Sequence, residues 1–172
     1  MNRVGSHRHV VAAHDHAAWK SMSDSRVRKV LRSGRSYAGT RVLLDFADFA
    51  GSPANVANLV TGLAWGVPIT LTARARNERA FTSISFAAPT PPLRNCDVCM
   101  GLWIAKRLLT DLGINRPAPE HLKAALVGGV VIVDAGRIGS RALKLAGVLT
   151  LRSQGMSWTA VAASQGVTLG NW

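Results

Sequence analysis

From Val42 onward the apolar residues of this chain come in short packets, each closed by glycine or proline, and this punctuation restricts the fold more than any other feature. The longest apolar run, Ala124 to Val133, spans only 10 residues, against roughly 20 for a helix that crosses a bilayer. Ser52 followed by Pro53 has the form of a helix start, a hydroxyl cap and then a proline at the first helical position. Val56, Leu59, Val60 and Leu63 then share one face, and Gly66 is a stop. Val67, Ile69, Leu71 and Ala73 alternate with Pro68, Thr70 and Thr72, as in a half-buried strand whose Pro68 end lacks a ladder partner. A second strand over Ala80–Phe86, with Ile84 and Phe86 on one side, makes a hairpin with Arg74, Arg76 and Arg79 near its tip.

Pro89, Pro91 and Pro92 force an extended connection. Asp97 is placed to cap a helix running to about Leu112, whose inner stripe is Val98, Leu102, Ala105, Leu108, Leu109 and Leu112. Gly113 and Ile114 read as a Schellman stop. Pro119 and Glu120 open a shorter helix with Leu122, Ala125 and Leu126 inward, ended by Gly128 and Gly129. Val130–Val133 reads as a strand and Arg137–Leu143 as its weaker return. Two helices follow, about Ala146–Gln154 and Trp158–Gln165, the second capped by Ser157 and stopped by Gly166. An order α–β–β–α–α–β–β–α–α has no strand–helix–strand crossover, so the expected fold is α+β, small antiparallel hairpins packed with four to five short helices. The apolar stripes from Phe49 onward are expected to be spent on the core, with Met156, Trp158 and Val161 among it.

Composition divides the 172 residues into two parts. Residues 1–40 carry 8 basic and 2 acidic side chains and little apolar periodicity, and they read as a basic, disordered tail. Residues 41–172 read as one α+β domain. The whole chain has a net charge of +12 and a sequence pI of about 11.4. Such a balance attracts nucleic acid and other polyanions. Arginine outnumbers lysine 16 to 5, a bias that GC-rich coding produces without any partner. Two cysteines cannot build a disulfide scaffold. The short stretch Val10–Ala13 is no signal peptide, which makes a cytoplasmic location the default expectation.

Few motifs carry chemistry. His7, His9, His14 and His16 form two His-x-His pairs, a donor set suited to zinc, copper or nickel if the tail folds back on itself. That closure costs conformational entropy, and the expected cofactor content is none. Cys96 and Cys99 form a Cys-x-x-Cys pair at a helix start, the placement of thioredoxin-like redox pairs. The missing crossover and the absence of a proline before Val130 count against that fold. Gly155–Trp172 resembles the first half of a helix-turn-helix, but a reading helix beginning near Leu169 has four residues to Trp172, too few to reach base edges. Ser36 sits in Gly-Arg-Ser-Tyr-Ala-Gly, one residue too long for a nucleophile elbow. His121 is the only histidine after residue 40, in the first turn of a short helix where exposure is expected.

Several pieces in order resemble a family of small, uncharacterised proteobacterial proteins over about residues 49–170: Phe49-Ala50-Gly51-Ser52, Leu59-Val60-Thr61-Gly62-Leu63, Val67-Pro68-Ile69-Thr70-Leu71-Thr72, Leu112-Gly113-Ile114, and Leu151-Arg152-Ser153-Gln154-Gly155-Met156. The resemblance implies no particular reaction, and it implies that many members are exported. The chain departs from the family pattern in its basic tail, in Arg94-Asn95-Cys96-Asp97 where a glycine-rich helix start is expected, and in the apolar Val130–Val133 where a threonine-rich hairpin is expected.

These readings converge on a non-catalytic binding or interaction module with an unidentified protein partner and no membrane span. Two alternatives stand beside it. One is non-specific nucleic-acid binding through Arg26, Arg28, Lys29, Arg32, Arg35, Arg74, Arg76 and Arg79. The other is thiol redox activity at Cys96 and Cys99.

Overall fold

The computed structural model of the chain describes residues 46–74, 81–134 and 139–169. After a helical turn over 46–49 come helix α1 (Pro53–Trp65), strands β1 (Ile69–Arg74) and β2 (Phe81–Phe86), helices α2 (Asn95–Asp111) and α3 (Pro119–Val127), strands β3 (Gly129–Asp134) and β4 (Ser140–Leu145), and helices α4 (Val148–Ser153) and α5 (Trp158–Ser164). The fold is α+β. Its strands form two separate two-stranded antiparallel sheets, β1 with β2 and β3 with β4.

Local chemistry sets the helix ends. Ser52 Oγ accepts from the Asn55 N–H at 3.1 Å, with Pro53 leading α1, and Gly66 stops the helix in the left-handed region at φ 66°. The α2 stop is a Schellman motif: the Ile114 N–H donates to Leu109 O and the Gly113 N–H to Thr110 O. The same pair of bonds recurs after α5, with Val167 on Ala162 and Gly166 on Ala163. The strands depart slightly from the expected bounds. Pro68 stays outside β1, since it has no N–H for a ladder, and the return strand lies later than expected, at Ser140–Leu145.

Two-stranded ribbons are marginal in water by themselves, and here helices cover one face of each. β1 lies along α1, and the fit requires Gly62, because a Cβ there would run into Ile69 Cγ1. Ile69, Leu71 and Phe86 are buried on the inner face with Ile84 beside them, and the outer face carries Thr70, Thr72, Ser83 and Ser85. α2 is the hub, packing on α1, α3, α4 and α5. Leu102, Ile104, Ala105 and Leu109 from α2 meet Leu59 and Leu63 of α1, Leu122 and Leu126 of α3, Leu149 of α4 and Val161 of α5 in one core. Each fully buried leucine contributes about 2 kcal/mol of transfer free energy. β3 packs on α3 through Val131. The junction of α3 with the start of α4 is a backbone contact, since a Cβ on Gly147 would strike Gly128 N.

The expectation that all apolar packets serve the core fails at four residues. Val130, Ile132, Trp65 and Val67 are exposed. Strand alternation put Val130 and Ile132 opposite Val131, and no helix covers the face they occupy.

One buried polar side chain ties α1 to β1. Asn55, 2% exposed, accepts from the Thr72 N–H at 2.9 Å and donates through Nδ2 to Thr72 O at 2.9 Å and Ala50 O at 2.8 Å. Asn58 Nδ2 donates to Thr70 O at 2.8 Å. The two asparagines thus take the place of a missing neighbour strand along the edge of β1. Asn55→Ala removes the partner of the buried Ala50 carbonyl and of the part-buried Thr72 N–H and carbonyl and should lower the unfolding free energy by about 1–3 kcal/mol in urea titrations. A change below about 0.5 kcal/mol, the usual range of a surface substitution, would show that the edge is not held this way.

Candidate functional site

The N-terminal end of α2 gathers most of the polar and reactive side chains that the described residues place together. Asp97 does not cap this helix. The N-cap is Arg94, which makes no side-chain capping bond, and Asp97 lies two residues inside the first turn. Its carboxylate is turned sideways: Oδ1 accepts from Trp158 Nε1 at 2.7 Å and Oδ2 from Arg94 Nε at 3.2 Å. Two strong side-chain donors hold the carboxylate where backbone N–H groups were expected to. Trp158 opens α5, 61 residues further along, and its ring lies within about van der Waals reach of Gly101, where an added Cβ would be 3.4 Å from Cη2. The Arg152 guanidinium sits over the same ring at 5.1 Å from its centre. It also donates to Met156 O at 2.7 Å, which fixes the turn between α4 and α5.

The indole N–H is the main cause that holds the Asp97 carboxyl below its ordinary value of 3.8, with Arg94 and Arg152 adding to it against a smaller opposing effect of burial. Reciprocally, Asp97 raises the Arg94 guanidinium further.

Cys96 and Cys99 flank this carboxylate, Cys96 exposed and Cys99 half-buried, both as free thiols. Burial, and secondarily charge on Cys96, pushes the Cys99 thiol up. The surroundings are not those of a thioredoxin-like sheet: among the described residues β3 pairs with β4 alone and joins no sheet with β1 and β2. His121 does not stand free in solvent as expected. It is half-buried, and its Nδ1 accepts from the Ala118 N–H at 3.1 Å, serving the start of α3 where alanine offers no capping oxygen.

A second feature is the outward face of the β3–β4 hairpin. Val130 is 60% and Ile132 56% exposed. Across the ladder they stand opposite Lys144 and Ala142, both exposed. Among the described residues β4 pairs with β3 alone, and none of them forms a strand along its other edge.

Of the other sequence-derived residues, Arg74 is exposed at the end of β1. Arg76 and Arg79, Arg26, Arg28, Lys29, Arg32 and Arg35, and the histidines His7, His9, His14 and His16 lie outside the described residues. Within those residues no group of three or more His, Cys, Asp or Glu side chains is positioned to hold a metal ion, and no helix is long and apolar enough to cross a membrane. The Asp97–Trp158 bond had no sequence signal, since nothing local links positions so far apart. The exposed hairpin face had one, the apolar Val130–Val133 in place of a polar pattern. Comparison with protein-family models, curated proteins and solved structures finds no match for the chain.

Because the Asp97 carboxyl lies below its unfolded value, its stabilising contribution is complete above about pH 4 and fades as the pH falls through the folded value. Trp158→Phe keeps the ring and removes the donor. Its expected effects are an upward move of the Asp97 midpoint in carbon-13 NMR titration and a flatter dependence of stability on pH below the ordinary carboxyl value of 3.8. An unmoved midpoint would contradict the assigned cause.

Proposed function

We propose that the chain is a non-catalytic interaction module that docks a protein partner on the outer face and β4 edge of the β3–β4 hairpin. The observation that carries this reading is the contrast between its two hairpins. The outer face of β1–β2 is a row of hydroxyls, Thr70, Thr72, Ser83 and Ser85, with Thr70 Oγ1 and Ser85 Oγ 2.6 Å apart. The edge of β1 is closed by asparagines. The outer face of β3–β4 carries Val130, Ile132 and Ala142 with Lys144 beside them, and among the described residues nothing pairs with the other edge of β4. An exposed apolar face of this kind, Val130, Ile132 and Ala142 beside Lys144, is one that proteins ordinarily cover, and its retention supports use by a partner.

The chemistry suits an extended segment that adds to β4 as a strand, setting apolar side chains on Val130 and Ile132 and an acidic one against Lys144. Resemblance to a family without an assigned reaction is consistent with such a role.

A photo-crosslinking amino acid at Ala142 of the full chain, in cells, should give one discrete heterologous adduct. The same group at Ser83 on the polar hairpin should not. Val130→Ser with Ile132→Ser should weaken capture by about tenfold or more, near 1.4 kcal/mol, and leave the melting temperature within a few degrees because both side chains are exposed. Equal adducts at both hairpins, or an adduct with a second copy of the chain alone, would overturn the reading.

A further inference from the structure

The thiols of α2 carry an inference independent of the docking face. Cys96 and Cys99, three residues apart in the first turns, project from one side of the helix. Their settings differ as the two members of an exchanging pair require, one open to solvent and the other half-covered by the fold. The Asp97 carboxylate, next to Cys96 in the sequence, is engaged by Trp158 Nε1 and Arg94 Nε. Cys96 stands in the first turn of a 17-residue helix whose start has no side-chain capping bond, at its positive end and beside Asp97.

We propose that Cys96 and Cys99 form a dithiol–disulfide couple that exchanges with an accessible disulfide, Cys96 attacking and Cys99 resolving. The Cys96 thiolate attacks one sulfur of the incoming disulfide. That S–S bond breaks, and the departing sulfur leaves as a thiolate that takes a proton from water. Cys99 then gives its proton to solvent and attacks Cys96 Sγ in the mixed disulfide, releasing the second sulfur as a thiol. The incoming disulfide gains two electrons and becomes two thiols, and the pair becomes a Cys96–Cys99 disulfide. The burial that pushes the Cys99 thiol up makes it the slower attacker on an external disulfide and leaves it well placed for the internal step.

The test uses the full reduced chain mixed with oxidised glutathione, quenched in acid at intervals, alkylated and weighed by mass spectrometry. The wild type should lose two hydrogens and retain no glutathione. Cys99→Ser should accumulate a glutathione adduct on Cys96, and Cys96→Ser should form its adduct on Cys99 several-fold more slowly, because the half-covered sulfur is harder to reach and less readily ionised. A second arm replaces glutathione with a disulfide-bridged peptide. Closure with either oxidant supports the couple, and the faster one identifies the class of disulfide it serves. Equal adduct rates in the two variants, or a wild type that holds glutathione on each cysteine without closing, would overturn the proposal. Circular dichroism of each variant separates these outcomes from failure to fold.

Discussion

A two-stranded ribbon has two edges and two faces, and water competes for all of them. This chain solves that problem once with backbone contacts close enough to exclude side chains and once with amide side chains. Gly62 lets β1 settle on α1. Asn55 and Asn58 then supply, from the helix, the donors and acceptor that a third strand would have supplied. The buried amide is a good choice for this work. It has donor and acceptor ends that match one peptide unit, and it carries no charge whose desolvation would have to be offset. α1, fixed on β1 in this way, then packs with α3, α4 and α5 around α2.

Local punctuation made most of the helices legible. Ser52 and Pro53, Gly66, Gly113 and Gly166 act within a few residues of their own positions, and the bonds they make are those their sequence context implies. The same locality explains what was missed. Asp97 looked like a cap because a carboxylate near a helix start ordinarily finds backbone N–H groups; the indole that claims it comes from an element 61 residues away. Strand alternation identifies which residues share a face, yet it does not say whether anything covers that face. Val130 and Ile132 therefore read as core when only Val131 between them is buried. The later position of the return strand has a related cause: register follows the pairing of Val131 with Leu143 and of Gly129 with Leu145, which puts Leu143 and Leu145 on the inner face.

Trp158 shows how one side chain can belong to both the core and a reactive site. Its ring lies on Gly101, and it takes Arg152 on a face, so its position is set by packing. Its only polar atom then donates to Asp97 and is the largest of the causes that hold that carboxyl below its ordinary value. A Cβ added at position 101 would meet the indole at ordinary van der Waals distance, 3.4 Å from Cη2, which shows how closely the ring lies along α2.

The two proposed surfaces differ in what they ask of the fold. Strand addition needs only an edge and a face, and β3–β4 supplies them by lacking what β1–β2 has: hydroxyls outward and asparagines along the edge. Thiol exchange needs two sulfurs held at fixed separation in unequal surroundings, which a rigid helix anchored in the core provides better than a loop does. α2 is that helix, packed on four others. A docking event on the hairpin reaches α2 through α3, which touches both β3 and α2. Coupling of partner binding to thiol state therefore requires α3 to have two arrangements. The backbone contact of Gly147 on Gly128 at the end of α3 opposes such movement, and the two functions are accordingly read as independent uses of one scaffold.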